Sequence, residues 1–313
     1  MKKLFIVALI PLMLLCGCKK EQIKNTKECL DTTYTITANC NEKTLNGAFE
    51  VCLESEKLLT QNYPDSEISM LNAHDTMELS RETLDVLSLA LYYCQATGGK
   101  YDITLQPISS LYNFEQQAAP TEEQIKKKLY KVGYERIEIK GKLVDLHNTE
   151  IELSSIKTGY IADKAVRYLK QNGAKNGVVD FNGNVLAFGR AYSFEIKKPG
   201  SYDTMFTVKF KNKSAVTNSI YRHYFKENGV TYHHILNSST GMPVDNDLAG
   251  VTVLGESAAE CDVLSTVCML LGEETAKSFI NQTPKYEAVF IKKDNTASVS
   301  DGLKIKGKKI VYK

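Results

Sequence analysis

Strand-like and helix-like patterns follow one another irregularly along this chain, and that order restricts the fold class more than any single motif. Period-two alternation predicts a strand at Thr32–Ala38, and apolar residues at helical spacing predict a helix at Asn46–Leu59. Further helices are predicted after Ser80, after Thr121, which opens a capping-box pattern, and at about Thr158–Gln171. Because no regular strand–helix repeat is present, the sequence predicts an α+β fold with mixed or antiparallel sheets and packed helices.

The second half of the chain is rich in short strand patterns, interrupted by one further helix. This helix is predicted from the capping-box pattern that begins at Ser257, and it carries Asp262 and Thr266. The predicted strands from the middle of the chain onward are Ile137–Ile139, Leu143–Leu146, Ile151–Leu153, Val178–Phe181, Val185–Phe188, Ser193–Lys197, Met205–Phe210, Ser214–Asn218, Val230–Leu236, Gly250–Leu254, Ala288–Ile291 and Lys309–Tyr312.

The N-terminus has the features of an export signal. Two lysines precede an apolar stretch, Leu4–Leu15, that is too short to span a bilayer. The stretch ends in a Leu-Cys-Gly-Cys run that resembles a bacterial lipoprotein signal, with Cys18 as the lipidated residue; an ordinary secretory signal is the alternative. We therefore expect a signal peptide at 1–17, a lipid-anchored tether at 18–28 and one compact domain at 29–313, held on an extracytoplasmic membrane face.

Composition and charge restrict the partners and the redox chemistry. The net charge of +2 gives no support to nucleic-acid binding. An extracytoplasmic location permits disulfides, and a Cys29–Cys40 bridge is one hypothesis. The cysteine spacing shows no metal-site pattern, so most of the cysteines are expected to be buried thiols.

Asp262 and Thr266 form the first candidate site. They are four residues apart on a predicted helix, so they lie on one face, and carboxylate and hydroxyl oxygens suit Mg²⁺. The alternative is that Asp262 completes a helix cap while Thr266 bonds to its own backbone.

Three other segments could contact a nucleotide. His233 and His234 end a strand pattern, so only one of the two imidazoles points into any given pocket. The glycine-rich run Gly98–Pro107 could enclose a ring system, and Ile156–Tyr160 at a helix start could bind an anion through backbone amides. A hairpin turn is predicted at Asp180–Asn184, and each segment also has a purely structural reading.

Taken in order, these segments resemble the ApbE family of flavin transferases, which move FMN from FAD onto a threonine or serine of a target protein. The matching runs are spread over most of the chain. They are Asp31–Tyr34, Tyr63–Asn72, Tyr101–Pro107, Tyr232–Pro243 (against the family pattern His-His-Ile-Leu-Asp-Pro-x-Thr-Gly) and Asp262 with Thr266 (against Asp-x-x-x-Thr).

The resemblance implies a fold, a reaction and a set of site residues. The fold would be an ApbE-like, T-fold-related single compact unit, and the reaction would use FAD as substrate with Mg²⁺. Asp262, Thr266 and the backbone carbonyl of Lys157 would hold the metal, and His234 and Asp262 would be catalytic. The residues implied around FAD are Tyr101, Asp102, Thr104, Ser154, Tyr160, His234 and Ile235.

The chain departs from the family pattern around the diphosphate. Lys157 and Thr158 stand where the family has alanine and lysine, so a positive charge is lost or displaced by one residue. Asn237 and Ser238 replace Asp-Pro, and Asn182 replaces a glycine. These departures leave three functions open: a transferase acting on an extracytoplasmic redox protein, a pyrophosphatase giving FMN and AMP, and an FAD-binding lipoprotein with little catalysis.

Overall fold

The computed structural model describes residues 22–30 and 32–313, so the predicted signal segment, Cys18 and Asp31 lie outside the described residues. The α-helices of the described part are α1 Glu42–Leu59, α2 Glu67–His74, α3 Arg81–Ala96, α4 Gln106–Ser109, α5 Glu122–Leu129, α6 Ser154–Gln171, α7 Ala258–Leu271 and α8 Glu273–Asn281. The strands are β1 Ile23–Glu28, β2 Thr33–Ala38, β3 Thr76–Glu78, β4 Glu138–Lys140, β5 Leu143–Asp145, β6 Gly177–Phe181, β7 Asn184–Lys197, β8 Thr204–Ser219, β9 Tyr224–Glu227, β10 Val230–His233, β11 Leu248–Gly255, β12 Glu287–Lys292, β13 Ala297–Val299, β14 Leu303–Lys306 and β15 Lys309–Tyr312.

A large, mostly antiparallel sheet organises the described part of the chain. Its strands run in the order β1-β2-β6-β7-β8-β11-β12-β13, and β15, which pairs with β14, joins β8 in parallel. A three-stranded sheet, β3-β5-β4, and the β9–β10 hairpin lie apart from it. The α+β prediction with mixed and antiparallel sheets is confirmed.

The core lies on both faces of the sheet because the long central strands alternate between two buried clusters. On β7, Leu186 and Phe188 pack against α1 and α6, whereas Val185 and Ala187 join the cluster on the opposite face. All eight residues of β11 are buried, as expected for a strand covered on both sides. The helices α6 and α7 pack against each other over this sheet, and their crossing sets the position of the candidate site.

The strands β7 and β8 are each continuous, although the sequence predicted a pair of short strands in place of each. The predicted break in β7 is a bulge between Ala187 and Ala191, where Gly189 has φ 77° and donates its amide to Asn212 Oδ1 at 2.7 Å. Asn212 supplies the matching irregularity in β8 with φ 53°. Residues that favour positive φ therefore marked a bulge here, not a strand end.

The predicted strand Ile151–Leu153 and the predicted start of the next helix are wrong. Ile151 donates its amide to Asn72 Oδ1 at 2.8 Å and Glu152 donates to the Ile103 carbonyl at 2.9 Å, so this extended segment bonds to a side chain and a turn. The helix α6 then begins at Ser154, one turn before Thr158. The helices α2, α4 and α8 and the strands β3, β9, β13 and β14 were not predicted.

The predicted tether at 18–28 is too long. Residues Ile23–Glu28 form β1, which pairs with β2 from Ile23↔Ala38 to Glu28↔Thr33. The polar sequence of β1 misled the prediction because this edge strand is mostly exposed and needs no apolar face.

Two further expectations change in the structure. Cys29 is a free thiol, so the hypothetical Cys29–Cys40 bridge is not formed. Ser257 caps α7 by accepting from the Glu260 amide at 3.3 Å, but the Glu260 carboxylate accepts from Tyr93 and Tyr286 instead of completing a capping box. Within residues 22–30 and 32–313, the helices are too short or too polar to cross a membrane.

Candidate functional site

A cavity of about 620 Å³ opens where the N-terminus of α6, the α7 face and the ends of β8 and β10 meet. One group of its lining residues is polar and consists of Asp262, Thr266, Asn218 and the exposed Arg222. A second group is mostly apolar and consists of Tyr101, Leu105, Glu152, Ile235 and Leu236. We call these the phosphate end and the ring end, from the chemistry of their side chains.

The close crossing of α6 and α7 positions Asp262. A Cβ on Gly159 would lie 2.2 Å from the Ala258 carbonyl oxygen, so only glycine permits this approach. The contact brings the Gly159 amide to 3.0 Å from Asp262 Oδ2. Asp163, also on α6, accepts hydrogen bonds from the Ala258 and Ala259 amides and so holds the first turn of α7.

Asp262 and Thr266 lie on the cavity wall one helical turn apart, as the sequence predicted. Burial raises the pKa of Asp262 to about 6. The hydrogen bonds from the Gly159 amide and Asn184 and the charge of Arg222 lower the pKa and offset part of this shift. The Thr266 hydroxyl accepts a hydrogen bond from Asn218 Nδ2 at 3.0 Å. The alternative reading in which Asp262 only caps the helix is wrong, because Ser257 is the cap.

Asn184 adds a third oxygen to this wall. The side chain is 1% exposed and donates to Asp262, and among the described residues its buried Oδ1 has no hydrogen-bond partner. A carboxylate, a hydroxyl and an amide oxygen are hard donors of the kind Mg²⁺ prefers. No cluster of three His, Cys, Asp or Glu side chains occurs in the described chain, so a cation here would keep positions for water and phosphate. The donor set therefore fits Mg²⁺.

The positive charges near the phosphate end belong to Lys157 and Arg222, and neither occupies the position of the family lysine. Lys157 lines the cavity but is 5% exposed, and its Nζ lies 3.9 Å from Oε1 of the fully buried Glu56. The guanidinium at the mouth belongs to Arg222, whose Nη2 donates to the Asn182 carbonyl at 3.3 Å. Asn182 takes φ 54° in the turn between β6 and β7, so it keeps the backbone of the glycine it replaces and the predicted hairpin is confirmed.

His234, not His233, faces the cavity. His233 is 3% exposed beside Val244, whereas His234 is part of the cavity wall. Burial, with help from His223 and Arg222, lowers the pKa of His234 to about 3. The imidazole is therefore neutral at pH 7 and can exchange hydrogen bonds with an anion without carrying a charge.

The ring end is built by the segment after α3 and the segment before α6. Tyr101 is 3% exposed and its hydroxyl lies 2.8 Å from Ser155 Oγ. Asp102 lines the cavity too, but its carboxylate is used by the Thr104 amide at 2.8 Å and the Tyr134 amide at 3.0 Å. Ser154, Lys157 and Ile235 also line the cavity.

Comparisons with known proteins identify the family of the chain. The model of the ApbE family matches residues 30–290. A relative from Vibrio cholerae serotype O1 named FAD:protein FMN transferase is 31% identical over 306 residues, which cover 90% of this chain and 92% of the relative. The chain belongs to the ApbE family.

Other members of the family are more distant in sequence. A Treponema pallidum protein named FAD:protein FMN transferase is 26% identical, with 83% of this chain and 80% of that protein covered. The structure of the flavin transferase ApbE from Vibrio cholerae has a TM-score of 0.79 at 27% identity and covers 90% of this chain and 97% of that one. The ApbE protein of Thermotoga maritima, at 22% identity, shares the fold with a TM-score of 0.83, covering 90% and 97%.

Two residues inferred from the ApbE resemblance lie away from the cavity wall. Thr104 is fully buried, and its hydroxyl donates to Asp102 at 2.6 Å and accepts from the Gly133 amide at 2.8 Å. Tyr160 packs against the main core near Glu82 and Asp85. Both support neighbouring elements in this ligand-free structure.

Several wall residues were missed as site residues from the sequence, among them Arg222, Glu152 and Asn184. Arg222 follows the end of β8, and Glu152 was assigned to a strand. Asn184 was read as part of a turn. A search for polar residues immediately after predicted strands would have found Arg222, because strand ends commonly deliver such groups to one edge.

Proposed function

We propose that this ApbE-family protein is a magnesium-dependent FAD:protein FMN transferase that modifies a threonine or serine of an extracytoplasmic redox protein and releases AMP. The observation that carries the proposal is the oxygen donor set of Asp262, Thr266 and Asn184 beside Arg222, at one end of a cavity that also has a ring-binding end. The names of the relatives support the same activity.

The chain's own residues would divide the work at the diphosphate. Asp262, Thr266 and the Lys157 carbonyl would hold Mg²⁺, with Asn184 beside them, and the bound ion would polarise the diphosphate. Arg222 would attract the same anion from the mouth of the cavity. The acceptor hydroxyl would attack the phosphorus of the FMN half, the bond to the AMP oxygen would break, and AMP would leave with the electron pair of that bond, while the hydroxyl proton passes to the departing AMP phosphate or to water.

His234 is suited to hydrogen bonding at the diphosphate. Without ligand, burial lowers its pKa and keeps the imidazole neutral, so it can donate or accept a hydrogen bond; a bound diphosphate would oppose this shift. Its amide donates to the His223 carbonyl at 3.2 Å, which fixes the backbone beside the imidazole.

We further propose that Cys18 is lipidated and anchors the protein on an extracytoplasmic membrane face. Since β1 begins at Ile23, five residue steps separate the anchor from the sheet. At no more than ~3.6 Å per residue, those steps reach roughly 18 Å. The catalytic domain would therefore work close to the membrane, on an acceptor held there too.

The test uses the purified protein with FAD, Mg²⁺ and a candidate acceptor domain. We expect a flavin-fluorescent acceptor band and an equal amount of AMP. Asp262→Asn should abolish both products. Asp203→Asn is the control: Asp203 is exposed and directly precedes β8, so this substitution should leave both products unchanged. AMP release without a labelled acceptor would indicate a pyrophosphatase instead.

The binding-protein alternative has one observation in its favour. Lys157 lines the cavity, but its Nζ lies 3.9 Å from the buried Glu56 carboxylate, which offsets part of its charge, and Thr158 has no charge. The other departure is neutral, because Asn237 Oδ1 accepts from the Ser239 amide at 2.9 Å and keeps the turn. Tight FAD binding with no turnover, with either an acceptor or water, would select this alternative.

A further inference from the structure

The β9–β10 hairpin stands beside the mouth of the cavity and lies apart from the large sheet. In the described part of the chain, its two strands form a separate two-stranded sheet in which each strand pairs with the other. The outer edges of such a pair carry backbone N–H and C=O groups that face away from the partner strand, and these edges readily accept a further strand. Each edge of this hairpin is therefore a place where an extended peptide could bind.

The turn of the hairpin fixes which backbone groups point outward. Asn228 and Gly229 form a two-residue turn with φ 49° and 79°, and the residues on either side of it, Glu227 and Val230, lie directly opposite each other. In a hairpin with such a turn this first pair is hydrogen-bonded, and the pairs beyond it alternate between non-hydrogen-bonded and hydrogen-bonded.

This alternation continues up to the cavity. The His234 amide donates to the His223 carbonyl at 3.2 Å, four pairs beyond the first pair, as the alternation requires. The pairs in between that are not hydrogen-bonded are Tyr224 with His233 and Lys226 with Thr231. Tyr224 and Lys226 therefore present their N–H and C=O groups along the outer side of β9, which we call the β9 edge, and Thr231 presents its own along β10.

The β9 edge is more open than the outer edge of β10. Tyr224 is 42% exposed, and Lys226 is exposed as well. On β10, His233 is 3% exposed beside Val244, and the Val244 amide donates to the Ile235 carbonyl at 2.9 Å. The segment around Val244 therefore lies along the chain that continues from β10, and the β9 edge is the one with room for another strand.

The β9 edge leads directly to the proposed reaction centre. Arg222 and His223 precede β9, and both are exposed and line the cavity. At about 3.4 Å per residue, a strand paired with Lys226 reaches the level of Arg222 in four residue steps, roughly 14 Å. An extended segment on this edge is therefore aimed along its own axis at the cavity mouth.

The occupant that this geometry favours is the acceptor protein. The proposed transfer requires a serine or threonine hydroxyl to approach from outside while FAD fills the cavity, so the surface around the mouth must contact the acceptor chain. Main-chain hydrogen bonds along a sheet edge hold an extended peptide and direct its alternate side chains to the two faces. Tyr224, whose ring lies edge-on to Tyr221 at 5.3 Å, adds an apolar surface for those side chains.

We propose that an extended segment of the acceptor binds the β9 edge as a third strand of the hairpin and so delivers its hydroxyl to the cavity mouth beside Arg222. This inference rests on the proposed transferase function and specifies how its protein substrate docks. The backbone groups of Tyr224 and Lys226 bind the acceptor, and neither residue is among those that line the FAD cavity.

The first test measures FMN transfer to the candidate acceptor domain at varied acceptor concentration. Lys226→Pro removes one outward N–H and leaves the hydrogen bonds within the hairpin intact, so KM for the acceptor domain should rise about 10-fold or more. The affinity for FAD, measured by flavin fluorescence, should not change. Lys226→Ala keeps the N–H and should retain most of the acceptor affinity.

Thr231→Pro is the matched control for this substitution. Thr231 lies directly opposite Lys226, and its N–H points outward from the other strand, so proline has the same local effect there. KM for the acceptor domain should remain at the value of the unmodified protein.

Amide hydrogen exchange gives a second test that needs no substitution in this protein. The probe is the same acceptor domain with its modified serine or threonine changed to alanine, so that no transfer occurs. At saturation, the Tyr224 and Lys226 amides should exchange at least about 10-fold more slowly than in the free protein, whereas the Thr231 amide should keep its rate.

Two results would overturn the proposal. One is an acceptor KM that Lys226→Pro leaves unchanged or that both proline variants raise equally, since an equal effect would come from the hairpin as a whole. The other is unchanged exchange of the two β9 amides at saturating acceptor. The proposed function fails on a separate result, the absence of FMN transfer from the unmodified protein to the unmodified acceptor domain.

Discussion

The two ends of the cavity each contain a carboxylate, and the two carboxylates have different hydrogen-bond partners. At the phosphate end, Asp262 receives a hydrogen bond from the Gly159 amide, lies beside Asn184 and feels the charge of Arg222. At the ring end, Glu152 receives one hydrogen bond, from Ser109. Burial raises the pKa of both, to about 6 and about 7. The two carboxylates therefore differ in their hydrogen-bond partners and neighbouring charges, not in the direction of the pKa shift that burial causes.

The largest effect is expected from Asp262→Asn at the phosphate end. The substitution keeps the shape and removes the one carboxylate of the proposed metal site, so FMN transfer should fall by roughly 100-fold or more. AMP release should be measured as a function of Mg²⁺ concentration. Thr266→Val is the milder companion, because it removes a neutral oxygen. Retention of full Mg²⁺ stimulation in Asp262→Asn would break the distinction between the two ends.

The second-largest effect tests whether the close crossing of α6 and α7 is what positions Asp262 at the phosphate end. Gly159→Ala would place a Cβ 2.2 Å from the Ala258 carbonyl oxygen, which is backbone and cannot swing away. We expect a loss of about 2–3 kcal/mol in the free energy of unfolding, measured with urea, together with weaker Mg²⁺ binding.

Gly47→Ala is the matched control for this experiment. Gly47 is also helical, and its Cβ would lie 2.1 Å from the Tyr168 hydroxyl, which is the end of a side chain that can rotate. Its cost should therefore be clearly smaller, and Mg²⁺ binding should not change. Equal losses from the two substitutions would mean that close packing in general, not this crossing, limits stability.

A smaller effect on activity should show whether Arg222, at the cavity mouth, takes the place of the lysine that the family has at position 158. Arg222→Gln removes the exposed guanidinium near Asp262 and should lower kcat/KM for FAD by about 10-fold, with a weaker salt dependence. Adding Thr158→Lys, which restores the family residue, should recover part of this loss. Arg81→Gln, a remote exposed substitution, is the control. If Thr158→Lys gives no recovery, Arg222 does not substitute for the family lysine.

The sequence predicted the parts of the site that lie within one element. Asp262 and Thr266 are one turn apart on α7, so helical spacing alone places them on one face, and strand alternation separates His233 from His234. The capped helices α3 and α5 were predicted for the same reason. These inferences need no knowledge of tertiary structure.

The parts that were missed depend on contacts between distant segments. Glu152 is placed by Asn72, eighty residues earlier, and Arg222 meets Asn182 across a hairpin. The first residue of β1, Ile23, pairs with Ala38 of β2. Without knowledge of this pairing, the polar sequence of the edge strand was interpreted as a tether. Local patterns carry no information about such partners, which explains why Arg222 and Asn184 were missed at the phosphate end and Glu152 at the ring end.

The smallest effect concerns stability and tests the weak support of Glu152 directly. Its carboxyl has a pKa of about 7 in the folded, ligand-free protein and an ordinary value of 4.5 when unfolded. The folded state therefore holds this proton to higher pH, and the free energy of unfolding should fall as pH rises from about 4.5 to about 7. Glu152→Gln cannot ionise, so it should gain about 1–2 kcal/mol relative to the unmodified protein at pH 8 compared with pH 4.

Urea titrations at the two pH values measure this difference, and Glu115→Gln serves as the control because Glu115 is exposed at the same cavity. A Glu152→Gln gain that is the same at both pH values would show that Glu152 is as well supported as Asp262. The contrast between the ends would then come from their neighbours' polarity and not from how each carboxylate is held.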